Sequence, residues 1–110
     1  MHILHVEDDE YVAKMIRRCL KNHVLIQVSN MHDFERTLDS SRFDLVITDM
    51  EFPGGSGLQV AERARRIATP CVMFSSYLDV RAEALGAQFV EKPDASELVK
   101  LVDALAARDR

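Results

Sequence analysis

The chain is predicted to fold as a doubly wound α/β domain, a five-stranded parallel sheet with helices on both faces, and three observations predict it. Segments of strand character alternate with segments of helical periodicity from one end to the other. The strand segments are continuous apolar runs instead of alternating patterns, as expected for strands covered on both sides. With 110 residues there is room for one packed core and little more. A single domain over residues 1–110 is therefore expected.

The elements follow in order. Ile3 to Val6 is a first strand ending in acids, and Val12, Met15, Ile16, Cys19 and Leu20 then recur at helical spacing. Val24 to Val28 is a second strand. Asn30 and Asp33 can cap a short helix whose inner face is Met31, Phe34 and Leu38. Asp44 to Thr48 is a third strand, and Pro53 to Gly57 is a loop. Ser56 with Gln59 has the form of a capping box, opening a helix to about Ile67 with Val60, Ala61, Ala64, Ile67 and Ala68 as its buried stripe. Pro70 precedes a fourth strand, Cys71 to Ser75, and Gln88 to Glu91 is a fifth. The last helix opens at Asp94 and Glu97, turns Leu98, Leu101, Val102 and Leu105 inward, and is expected to fray through the closing Ala-Ala-Arg-Asp-Arg.

Composition excludes several functions. Eighteen acidic side chains against fourteen basic ones give a net charge of −4, so no basic surface for a phosphate backbone is implied and nucleic-acid binding is not expected. No apolar run approaches the roughly 20 residues of a membrane span, and the N-terminus runs straight into a strand. A cytoplasmic protein without a membrane segment is expected. Cys19 and Cys71 lack metal-like spacing and fall in apolar patterns, where cysteine acts as a small hydrophobe. His2, His5, His23 and His32 share no metal spacing either, and structural or surface roles are expected for them.

Right-handed crossovers bring the carboxyl ends of parallel strands to one edge, where such folds bind ligands. Those ends carry Glu7, Asp8 and Asp9, then Asp49, then Ser75 and Ser76, then Lys92. Asp9 and Glu10 also suit the N-terminus of the following helix. Carboxylates gathered at one edge repel each other unless a divalent cation neutralises them, and Mg2+ suits a site with few carboxylates and a phosphate substrate. A carboxylate nucleophile beside a lysine and a hydroxyl is the equipment for receiving a phosphoryl group.

Three stretches and a serine pair occur in order: Ile-Leu-His-Val-Glu-Asp-Asp at 3–9, Asp-Met-Glu-Phe-Pro-Gly-Gly-Ser-Gly at 49–57, Ser75-Ser76, and Phe-Val-Glu-Lys-Pro at 89–93. In this arrangement the chain resembles the receiver domain of two-component response regulators from Ile3 to Leu105. The resemblance implies a flavodoxin-like sheet of order 2-1-3-4-5 and a phosphoacceptor at Asp49. It implies Mg2+ held by Asp8, Asp49 and the backbone carbonyl of Glu51, with Glu7 acting through water. Lys92 would pair with the phosphoryl oxygens, the Ser75 hydroxyl would reach them on phosphorylation, and Phe89 occupies the aromatic switch position. Arg17 and Arg18 lie where receivers dock a histidine kinase or histidine phosphotransfer protein, although the solvated face of a helix would carry them too. The Lys92–Pro93 bond is open to either isomer.

The chain also departs from the family pattern. Ser76 to Gln88 is about five residues short, on the order of one and a half helical turns, so the fourth helix shrinks to about Arg81 to Leu85. That removes part of the family's dimer interface, and a monomer or weak dimer is expected. Glu51 and Tyr77 stand where the family sets the lifetime of its acyl phosphate. The expected function is a stand-alone phosphoacceptor that signals to an unidentified protein target and is not an enzyme. Two alternatives remain: a pseudo-receiver that binds its partner independently of phosphate, and a phosphatase using Asp49 and Glu51, for which the chain is short.

Overall fold

The computed structural model describes residues 1–108. In chain order the elements are β1 (His2–Val6), α1 (Glu10–Cys19), β2 (Val24–Val28), α2 (Met31–Ser40), β3 (Leu45–Thr48), β4 (Glu51–Phe52), β5 (Gly55–Ser56), α3 (Gly57–Arg66), β6 (Cys71–Ser75), α4 (Val80–Ala84), β7 (Gln88–Glu91) and α5 (Ala95–Arg108). Five strands form one parallel sheet in the order β2-β1-β3-β6-β7. Counting only the strands of this sheet, that is the expected order 2-1-3-4-5. The two-residue strands β4 and β5 pair as a small antiparallel ribbon that no apolar pattern announced.

Both faces of the sheet are covered because successive side chains point to opposite sides. Leu4, Val6, Val46 and Met73 pack with Phe34, Leu38, Val60 and Ala64 of α2 and α3. Ile3, Leu45, Ile47, Val72 and Phe74 pack with Ile16, Leu20, Leu98 and Val102 of the α1 and α5 side. A strand between two such layers has no solvent face, so every residue of β3 and β6 is buried.

Local chemistry starts the helices where expected. Asp9 accepts from the Tyr11 and Val12 amides at the head of α1, and Asn30 accepts from the Asp33 amide at α2. Ser56 and Gln59 form a complete capping box at α3. The fourth helix is short, as anticipated: α4 has five residues, capped by Asp79, and contributes only Ala82 to the buried set.

Three expectations are corrected. Cys19 is exposed, because the inward arc of α1 is the narrower set Ala13, Ile16 and, beyond its end, Leu20. Ile67 and Ala68 do not belong to the buried stripe of α3. The helix ends at Arg66, Ile67 is 52% exposed, and Ala68 takes a left-handed φ of 56° as the chain reverses toward β6. Finally, α5 stays helical through Ala106, Ala107 and Arg108 where fraying was expected; Asp109 and Arg110 lie outside the described residues. Among the described residues no helix is long and apolar enough to cross a membrane.

Candidate functional site

The carboxyl ends of β1, β3, β6 and β7 meet at one edge and bring the expected side chains together. Glu7, Asp8 and Asp49 each place a carboxylate oxygen within 4.8 Å of the others. Lys92 follows β7 and reaches back across this cluster, its Nζ lying 2.7 Å from Glu7 Oε1 and 3.1 Å from Asp49 Oδ2. The same ammonium sits 6.0 Å from the centre of the Phe74 ring. The Lys92–Pro93 peptide is cis.

The backbone around Asp49 is closely held. Asp49 N–H donates to the Val6 carbonyl at 3.0 Å, and Asp49 Oδ1 accepts from the Met50 amide at 2.7 Å. Thr48 Oγ1 donates to the Asp49 carbonyl at 2.8 Å. Gly57 packs against the same carbonyl: a Cβ at that position would stand 2.5 Å from Asp49 O and 2.7 Å from Met73 Sδ. Only glycine allows α3 to start this close to the end of β3.

Burial separates the three acids. Asp8 is exposed, Asp49 is intermediate, and Glu7 is 4% exposed. Burial is the largest influence on Glu7 and raises its pKa, with the Lys92 contact and the Asp9 amide opposing it and the Asp49 charge adding to it. For Lys92, burial is again the largest single influence and works against the charge. The contacts with Glu7 and Asp49 together outweigh it, so the ammonium's pKa is raised. One cation thus stands among three carboxylates, and the donor set is hard oxygen only. Such a set fits Mg2+, which would relieve the remaining repulsion, with Asp8 and Asp49 the better exposed ligands.

The other expected residues fall around this centre. Ser75 closes β6, fully buried; its Oγ is the acceptor of a long 3.5 Å contact from the Tyr77 amide, and its carbonyl accepts from Lys92 N–H at 2.8 Å. Phe89 lies half-buried on β7 and packs on the α2/α3 side of the sheet. Glu51 is exposed at the start of the ribbon, and its Oε1 accepts from the Tyr77 hydroxyl at 3.0 Å. Arg17 and Arg18 are exposed in the last turn of α1, and Arg17 lines the same open cleft as Glu7 and Asp8.

Two polar residues on the sheet carried no functional expectation. His5 is completely buried on β1, and burial, with the Lys92 charge second, pushes its pKa down to about 3. Gln27 is its partner across the parallel ladder. Its side chain contacts His5 Nδ1, the Ala13 carbonyl and Arg17 Nη2. The sequence held a signal: each of the strands His-Ile-Leu-His-Val and Val-Leu-Ile-Gln-Val carries a polar residue fourth of five.

Comparison with known proteins places this architecture. The model of the response regulator receiver domain matches residues 3–103. The chain is 33% identical over 121 aligned residues to the transcriptional activator protein IrlR of Burkholderia pseudomallei, covering 98% of this chain and 51% of that one. It is 36% identical over 80 residues to the swarming motility regulation protein RssB of Serratia marcescens, covering 69% of this chain and 36% of that one. The chain thus spans about a third to a half of the length of these relatives. A crystal structure of a two-component response regulator from Clostridium difficile superposes with a TM-score of 0.91 at 18% identity, covering 100% of this chain and 98% of that one, which speaks for the fold alone. The chain belongs to the response regulator receiver domain family.

Proposed function

We propose that Asp49 accepts a phosphoryl group from a phosphohistidine on a kinase or phosphotransfer protein, and that the domain then signals to a protein target by a shift in conformation. Receiver domains are signalling domains that bind Mg2+ at an acidic pocket and work with histidine kinases and downstream effectors. The observation that carries the reading is the Glu7–Lys92–Asp49 contact set beside Asp8, at the edge where four strands end.

The chemistry divides among the chain's own groups. A carboxylate oxygen of Asp49 attacks phosphorus as the bond from phosphorus to the imidazole nitrogen breaks, leaving an acyl phosphate on Asp49 and a neutral histidine on the donor. Asp8, Asp49 and the Glu51 carbonyl would hold Mg2+, with Glu7 acting through water; the cation would supply charge neutralisation at the phosphoryl oxygens. Lys92 trades its contact with Asp49 Oδ2 for the new phosphoryl oxygens. Ser75 Oγ, with only a long contact of its own, can turn to the same group. A phosphoryl group brings roughly −1.5 to −2 charge, and each charge-assisted hydrogen bond to it contributes about 1.5 to 3 kcal/mol. Contacts from Lys92 and Ser75 would together be enough to make a state of about one per cent population dominant. Movement of Ser75 would then draw Phe89 inward and change the surface beside β7, which lies next to the short α4.

The test is intact-mass measurement after incubation with Mg2+ and phosphoramidate or acetyl phosphate. One added phosphoryl group is expected on the wild type and none on Asp49→Ala or in the presence of a chelator. An adduct indifferent to Asp49 would overturn the assignment, and no adduct at all would favour a pseudo-receiver. Repeated turnover of small phosphate esters would instead point to a phosphatase.

A further inference from the structure

Gln27 sets which ring nitrogen of a buried histidine carries the proton. Its Nε2 lies 2.7 Å from the Ala13 carbonyl, an atom that can only accept, so this side-chain atom must be the amide NH2 and not the oxygen. The Gln27 Oε1 at the other end accepts from Arg17 Nη2, which can only donate, and that fixes the same orientation independently. The same NH2 lies 3.0 Å from His5 Nδ1, which therefore accepts. A ring that accepts at Nδ1 is neutral and carries its proton on Nε2.

That Nε2–H is a buried donor without a hydrogen-bond partner among the described residues. Glu7 Oε1 is also buried, and apart from its ion pair with Lys92 it has no partner of hydrogen-bonding geometry. His5 and Glu7 stand two residues apart on one strand and share one face. A buried donor and a buried acceptor on neighbouring same-face positions of one strand, neither satisfied by another hydrogen bond, make the kind of polar site a single water occupies. An open cleft of about 920 Å3 lies beside this chain of groups, lined by Glu7, Ala13, Arg17 and Gln27 among others.

We propose that His5 is a positioning residue for the acidic pocket: its Nε2–H donates through one bound water to Glu7 Oε1 and holds that carboxylate in the orientation the pocket requires. Arg17, Gln27, His5, the water and Glu7 then form one polar chain from the exposed face of α1 to the acids. The chain's effect on metal binding rests on the reading of Glu7, Asp8 and Asp49 as a Mg2+ site; the link between His5 and Glu7 does not.

The test is nitrogen-detected or long-range nitrogen–proton NMR of the histidine rings in the full chain without metal, with His5 assigned by its absence in His5→Leu. The wild type is expected to show the Nε2–H tautomer with a slowly exchanging proton. Glu7→Gln, which keeps the shape and removes the charge, is expected to move that proton resonance. Gln27→Glu, whose carboxylate only accepts, is expected to shift the ring proton to Nδ1 while the backbone spectrum stays folded. An Nδ1–H tautomer in the wild type, or an Nε2–H indifferent to Glu7→Gln, would sink the link. In a calorimetric Mg2+ titration, Gln27→Glu is expected to weaken binding about tenfold, at the low edge of what outer-sphere partners cost. Unchanged affinity would remove the positioning role. Because the spectra need no metal, a wild type that binds no Mg2+ would count against the proposed function while those spectra still decide the link.

Discussion

Lys92 is the residue on which the electrostatics of the pocket turn. Its ammonium faces two carboxylates at 2.7 and 3.1 Å, and its side chain is 15% exposed against 1% for Glu7 and 18% for Asp49. Removing one partner of such a set leaves the others uncompensated, which for fully buried pairs costs about 3–5 kcal/mol. Partial solvent contact at Lys92 and Asp49 brings the expectation for Lys92→Met down to about 2–3 kcal/mol. Urea denaturation in the presence of a chelator measures it. Adding Mg2+ is expected to restore part of the loss, since a cation bound only by the native state stabilises it by mass action and would replace the missing positive charge. Equal stability of the two proteins under chelation would show that the carboxylates do not need the lysine.

At the scale of elements, the site depends on how closely α3 approaches the end of β3. Gly57 starts that helix with its Cα against the Asp49 carbonyl, where an added Cβ would lie at 2.5 Å. Gly57→Ala must therefore push α3 or Asp49 aside. A destabilisation of about 1–3 kcal/mol is expected, with phosphorylation of Asp49 reduced more than the folded fraction is. A variant as stable as the wild type and phosphorylated as fast would show that the turn relaxes freely. The same elements show what a sequence can and cannot announce. β3 and β6 were legible because burial on both faces leaves a continuous apolar run, and the capping residues of α2 and α3 were legible because the chemistry is local. The acids and Lys92 were legible as strand ends once the crossover rule was applied. The ribbon β4–β5 was not, since two residues carry no period. Ile67 and Ala68 continue the spacing of α3 past its end, so periodicity could not register that the chain reverses at Ala68. The polar residues His5 and Gln27 stand out in their apolar strands, but that they face each other across the ladder depends on register, which only the assembled sheet supplies.

For the whole molecule, two apolar layers share one sheet, so neither can open without exposing strands common to both. The cysteines report on this from opposite situations. Cys19 is exposed at the end of α1, while Cys71 is buried at the start of β6, where burial pushes its thiol pKa up to about 12. The thiolate is the reactive form, so at neutral pH Cys71 is both inaccessible and protonated in the native state. A thiol reagent applied to the native protein is expected to modify one site at once, identified as Cys19 by peptide mapping, and the second only slowly. If the sheet opens as one unit, the rate of modification at Cys71 should rise with urea along the same free-energy slope as global unfolding, because the strand that holds it lies between β3 and β7. A slow phase that is insensitive to urea would mean instead that β6 becomes accessible by a local opening near Pro70. The two apolar layers would then not be a single cooperative unit.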